Sequence, residues 1–179
     1  MAMTMRYGLL LSFGILSSAT AAVATTDVAG GSAPDYVGRF LHYATSRRDD
    51  IGQVRYMYAN QLALAGARTG RMPAGATLVM EVYVGADADG ADGPRLGSLK
   101  LLAVMEKEVP TPTDSPGVVE DWRFGLFTPA GEPWPDTDTS ACLSCHQPLA
   151  NKQFLFTFDS LKEAATGVEE DQPARPNDS

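Results

Sequence analysis

The run Cys142-Leu143-Ser144-Cys145-His146 constrains this chain more than any other stretch of its 179 residues. Cysteines three positions apart fall on one side of a helical turn, and the histidine directly after the second stands beside them. With that geometry two thiols add to the vinyl groups on one edge of a porphyrin while an imidazole reaches the iron from one face. Two other chemistries use the same cysteine spacing. A disulfide suits an oxidising compartment, but thioredoxin-like exchange wants the pair at a helix N-terminus after a strand, and here Pro129, Pro133 and Pro135 precede it. Zinc wants four ligands, whereas the chain offers one further histidine, His42, and no third cysteine. The preferred reading is one covalently attached haem c, with Cys142 and Cys145 as attachment thiols and His146 as axial iron ligand.

The start of the chain bears on compartment. Residues 1–24 combine a basic start at Arg6, an apolar stretch from Tyr7 to Leu16 and a small-residue ending, Ala22-Val23-Ala24. That pattern is a secretory signal with an A-x-A-like cleavage site. The apolar stretch falls short of the roughly 18 residues expected of a membrane span. The expectation is therefore a cleaved signal, a periplasmic protein and no membrane span after cleavage. Losing Arg6 takes the formal charge from -8 to -9, so nucleic acid is not an expected partner. Apolar residues at 44% and charged residues at 20% exclude both wholesale disorder and a membrane bundle, and the remaining length suits a single domain.

Periodicity organises that domain. Residues 32–48 predict a first helix, since Pro34 and Asp35 suit a helix start and Val37, Phe40, Leu41 and Ala44 lie at helical spacing. Residues 53–58 are β-rich, and 59–68 predict a short helix stopped by Gly70 and Pro73. Residues 77–84 and 99–107 read as strands of an antiparallel hairpin across a Gly- and Asp-rich stretch, 85–97. Within it, Asp87 to Gly93 resembles half of a calcium loop but lacks the spacing and terminal Glu of an EF-hand, so a turn-rich connection is preferred. A loop over 110–117 and a strand over 122–127 follow. Residues 129–140 carry no apolar periodicity, so an extended loop delivers the cysteine motif. Residues 154–158 suggest another strand and 161–165 a helical turn, and 166–179 reads as a disordered acidic tail. The domain is expected over 32–165.

Several stretches resemble the cytochrome P-460 family, which includes the sheet-rich (beta) cytochromes c prime. They are Val54-Arg55-Tyr56-Met57-Tyr58-Ala59-Asn60, Thr77-Leu78-Val79-Met80-Glu81-Val82-Tyr83, Val104-Met105-Glu106-Lys107, Asp121-Trp122-Arg123-Phe124-Gly125, and Cys142 to Pro148 with Phe154-Leu155-Phe156-Thr157. The resemblance implies an α+β fold, an antiparallel β-sheet with flanking helices and one haem bound near the C-terminus. It also implies one histidine below the iron and an open position above it for a small nitrogen-species ligand such as nitric oxide. A homodimer and a redox partner cytochrome are in keeping with it. The family's enzymatic branch oxidises hydroxylamine on a haem also cross-linked to a lysine. Outside the signal the chain has Lys100, Lys107, Lys152 and Lys162. In the register that the resemblance implies, the cross-linking position falls near Met80 or Glu81, so the chain resembles the ligand-binding branch; a shifted register would bring Lys100 or Lys107 into play.

The same resemblance puts an arginine and an acid near the distal face, and Arg55 and Glu106 are the candidates. A carboxylate there would accept a substrate proton, and an arginine would stabilise a bound anion; the competing reading of each is a strand-surface charge. Met57, Met72, Met80 and Met105 are candidate sixth ligands of a six-coordinate electron carrier, against their ordinary use as core fillers. His42 would supply bis-histidine ligation. Three functions are thus open: ligand binding, hydroxylamine oxidation and electron transfer.

Overall fold

The computed structural model describes residues 31–85, 97–109, 118–119, 121–135 and 137–170. The expected signal, the Asp87 to Gly93 stretch, the 110–117 loop and the end of the acidic tail lie outside the described residues. The architecture is α+β. Six antiparallel strands, β1 (Leu41–Arg48), β2 (Gln53–Ala59), β3 (Thr77–Val84), β4 (Ser98–Lys107), β5 (Val118–Val119) and β6 (Trp122–Phe127), lie in the order β1-β2-β3-β4-β6-β5. Three helices flank them, α1 (Gln61–Thr69), α2 (Ser140–His146) and α3 (Phe158–Glu170). The expected hairpin of 77–84 with 99–107 is β3 paired with β4.

Register assigns each side chain to a face. Ala59, Leu78, Met105 and Phe124 form one cross-strand row, Met57, Met80, Ala103 and Leu126 the next, and Arg55, Val82 and Leu101 a third. Successive rows sit two residues apart along the strands, so all three share a face. The opposite face carries Tyr58, Val79 and Val104, then Tyr56, Glu81, Leu102 and Phe127. The larger core lies at the Leu78 and Phe124 end of the first face. There α1 and α3 pack through Ala63, Leu64, Ala67, Leu161 and Ala165 around Trp122, Phe154 and Leu155. Gly66 is needed at that contact, because a Cβ would stand 2.7 Å from Met72 Sδ and 2.9 Å from Met72 Cα.

Three expectations are corrected. Residues 32–48 are not a helix: Gly38 takes a left-handed φ of 70° within a turn, and 41–48 form β1. Tertiary partners override the apolar spacing, because Tyr36 is drawn into the second core and donates to Glu81 Oε1 at 2.6 Å, while β1 pairs along the whole of β2. Residues 154–158 are not a strand. Gln153 and Phe154 both have left-handed φ values, 53° and 62°, which fold the chain back toward α2 before α3 begins. The helical turn expected over 161–165 is part of α3, which continues through Glu170, into the segment expected to be disordered.

Candidate functional site

The described residues of the proline-bearing segment before α2 form turns and a bridge, Phe127 with Pro133, as expected of a loop that delivers the motif. It ends where Asp138 accepts hydrogen bonds from Ser140 N (2.9 Å) and Ser140 Oγ (2.7 Å), satisfying donors at the start of α2. The same bonds hold the Asp138 carboxyl below its ordinary value. One turn of helix then places Cys142 and Cys145 together. Both thiols are free; Cys142 is half-buried against the larger core and Cys145 is exposed. Burial pushes the Cys142 thiol up, so it is a neutral thiol near pH 7, unlike the low-pKa thiolates of disulfide exchange and metal binding. Among the described residues no group of three or more His, Cys, Asp or Glu gathers to hold a metal ion.

His146 closes α2, and its ring is fixed from three sides. Its Nδ1 lies 2.6 Å from the Phe154 carbonyl oxygen. A carbonyl only accepts, so Nδ1 carries the proton and Nε2 keeps its lone pair, the atom a metal takes. Phe124 and Phe156 meet the ring edge-on at 5.1 and 5.2 Å between centroids. The left-handed Gln153–Phe154 pair is what turns that carbonyl toward the imidazole. The Gln153 side chain anchors the turn by accepting from Met72 N at 3.2 Å, and Phe154 N donates to Leu149 O at 2.8 Å.

Above this helix opens a cavity of about 740 Å³, mostly apolar, bounded by the three-row face of the sheet, by Cys142, Cys145 and His146, and by Leu155 to Thr157. Its size is that of a pocket for a large organic cofactor. The bulge in β1 between His42 and Ala44 aims Tyr43 at the cavity, where its hydroxyl pairs with Thr157 Oγ1 at 2.8 Å. Burial raises the Tyr43 phenol to about 12, so it is a neutral wall residue across the ordinary pH range.

The two distal candidates part company. Arg55 lines the cavity, with Nη2 donating to Gln53 Oε1 at 3.0 Å and Nε buried without a partner. Glu106 does not line it: Met105 faces the cavity, and strand alternation turns the next residue to the other side, where Glu106 is buried opposite Thr77 and Arg123. Alternation also separates Met80, in the cavity wall, from Glu81, which accepts from Tyr36 and from Tyr58 (3.1 Å) on the far face. None of the four lysines lines the cavity. Lys100 sits over the Trp134 ring, Lys107 beside Asp121 and Trp122, Lys152 on Asp159, and Lys162 is exposed. Met57, Met80 and Met105 line the cavity, whereas Met72 is in the core and His42 is on the surface, bonded to Thr45.

Sequence reasoning did not single out Tyr43, Gln53, Gln153 or the Phe154 carbonyl. A bulge and a left-handed dipeptide leave no periodic signal, and a backbone acceptor carries no residue type. A cavity of this size, apolar except at one end, beside two free thiols and an imidazole presenting Nε2, fits a porphyrin and its iron better than a bare ion or a redox disulfide. Fold and site together therefore define a haem-binding cytochrome. The family model for cytochrome P460 matches residues 33–157, and the chain belongs to that family. No curated protein matches the chain.

Proposed function

We propose that this is an exported c-type cytochrome with one haem attached through Cys142 and Cys145, His146 below the iron, and an open position above it for a small nitrogen species such as nitric oxide. The observation that carries the reading is the 2.6 Å contact of His146 Nδ1 with the Phe154 carbonyl, which sets the tautomer needed for Nε2 ligation and makes the imidazole a stronger donor. When bound, the haem supplies an iron that binds diatomic ligands and exchanges an electron. The chain does the rest. Phe124 and Phe156 hold the imidazole plane, and Leu78, Met80, Val82, Leu101 and Ala103 keep the cavity dry, favouring neutral diatomics over anions.

Residues 1–24 support export to the periplasm, and no described helix is long and apolar enough to cross a membrane. A redox partner cytochrome and a homodimer belong to the same proposal. The hydroxylamine-oxidising alternative lacks support on two counts: no lysine lines the cavity, and among the described residues no Asp or Glu lines it to accept a substrate proton. A six-coordinate electron carrier remains the second reading, because Met57, Met80 and Met105 all line the cavity and a thioether on iron would raise its reduction potential.

Optical spectra of the purified ferrous protein with and without nitric oxide, with intact mass and pyridine haemochrome, test this. We expect a haem-sized mass increase, a normal haemochrome and a five-coordinate spectrum that shifts with nitric oxide. A six-coordinate ferrous spectrum indifferent to nitric oxide would select the electron carrier. A strongly red-shifted Soret band with an abnormal haemochrome would select the cross-linked enzyme, and absence of covalent haem would overturn the proposal.

A further inference from the structure

Among the described residues lining the cavity, Arg48 and Arg55 are the charged side chains, and no Asp, Glu or Lys is found there. Arg48 is already engaged, donating from Nε and Nη2 to Asp50 at 2.9 and 2.8 Å, so the uncompensated positive charge of the wall is that of Arg55. That charge is confined to one end. His146 touches Phe124, in the row of Ala59 and Leu78, whereas Arg55 lies in the row of Val82 and Leu101, with Ser46 as its neighbour on β1. Four residues of strand separate these rows, about 13 Å at ~3.3 Å per residue. The cavity thus has thiols and imidazole at one end, an apolar middle, and Ser46, Arg48, Gln53 and Arg55 at the other.

Arg55 is also incompletely satisfied. One Nη2 bond goes to Gln53, and the Nε–H is buried with nothing to accept it. Buried guanidinium donors are seldom left so, and planar pairs of acceptors suit them best. The described chain offers Arg55 no carboxylate within the cavity, so the acceptor must arrive with the occupant. A haem brings two carboxylates, on the edge of the macrocycle opposite the one to which cysteine thiols add.

We propose that Arg55, steadied by Gln53, is the binding site for the haem propionates, and that its partner is the cofactor's edge rather than a ligand on the iron. The inference rests on the haem reading above. It reassigns Arg55 from the distal role suggested by resemblance, and it makes the open iron position apolar, without a charged donor. Fixing both edges, thiols at one and guanidinium at the other, would set the porphyrin's orientation before any ligand binds.

The test uses the full-length holoprotein and its Arg55→Gln and Arg55→Lys variants, compared without added ligand by reduction potential across pH and by the resonance Raman deformation band of the propionates. Losing a cation beside the propionates favours the ferric state. Arg55→Gln should therefore lower the equilibrium constant for reduction by up to about tenfold, or ~59 mV for a one-electron couple, and should make the potential climb as pH falls through a raised propionate pKa. The Raman band should shift in both variants, while Arg55→Lys keeps most of the potential because it keeps the charge. Should the unliganded potential and the Raman band both stay at wild-type values, with only nitric oxide or cyanide binding altered, Arg55 is a distal residue and the proposal is wrong. If Arg55→Gln yields no mature protein, an unshifted propionate band in Arg55→Lys overturns it equally. Wild-type protein lacking covalent haem, seen by pyridine haemochrome before any variant is made, would instead remove the reading beneath it.

Discussion

His146 takes its orientation from a backbone oxygen, so the residues that matter to it are those that hold the Phe154 carbonyl in place. Two consecutive non-glycine residues in the left-handed region are unfavourable by roughly 1–2 kcal/mol each. They persist because Phe154 and Leu155 are buried and because Gln153 Oε1 receives Met72 N. Gln153→Ala removes that acceptor from a buried amide and should destabilise the holoprotein by about 1–2 kcal/mol, a drop of roughly 2–4 °C in Tm per kcal/mol at this chain length. Gln153→Gly should lose less, since glycine takes the same φ without strain. Thermal unfolding of both variants checks the ordering, and equal losses would mean that strain at this position is negligible. The motif itself was legible in the sequence because two thiols and an imidazole are residue types; the carbonyl that orients the imidazole was not.

Elements with one clear periodicity and a punctuating Gly or Pro were legible, and those whose apolar spacing fits two structures were not. The β3–β4 hairpin and α1 follow from alternation, from Gly70 and from Pro73. Residues 41–48 fit an apolar helical stripe as readily as a strand, and only pairing with β2 and the Tyr36–Glu81 bond, 45 residues apart, decides between them. The segment 154–158 misled through its aromatic alternation for the same reason, since burial of Phe154 and Leu155 in the larger core and the Met72–Gln153 bond, not local propensity, dictate its turn. Asn60 shows the reverse case, one residue serving two elements. Its Oδ1 accepts from Ala63 N (2.9 Å), capping α1, and from Thr77 N (3.1 Å) at the start of β3, while Nδ2 donates to Gly75 O (2.8 Å). Asn60→Ala should destabilise by about 2–3 kcal/mol, a cap of ~1 plus a stranded β3 amide. Asn60→Asp, which keeps the acceptor and loses the donor, should recover more than half in denaturant unfolding.

On the scale of the whole molecule, one sheet carries phenols raised by burial on both of its faces. Among the described residues, the cavity face carries His146, two arginines, Tyr43 and the two cysteines. The far face gathers Tyr36, Tyr58 and Tyr83 around the Glu81 carboxylate, with the Tyr36 and Tyr58 rings 5.3 Å apart. Burial first, then the neighbouring carboxylate, raises all three phenols, Tyr58 to about 12 and Tyr36 further still, and burial raises Tyr43 to about 12 from the cavity side. A phenol whose folded pKa lies above its unfolded value of about 10 stabilises the fold fully below pH 10. As pH rises beyond that, the unfolded chain releases protons that the folded chain keeps, so stability falls through the window from about 10 to 12. The expectation is an alkaline transition in which tyrosinate absorbance and loss of tertiary structure appear together above pH 10, with stability flat from pH 8 to 10. Replacing Tyr43 with Phe removes one of the linked protons, so it should make the decline in denaturant-measured stability shallower above pH 10, whatever it does to stability at pH 8. If the buried phenols titrate near 10 while the protein stays folded, then neither face holds its tyrosines neutral, and the Glu81 cluster is open to solvent.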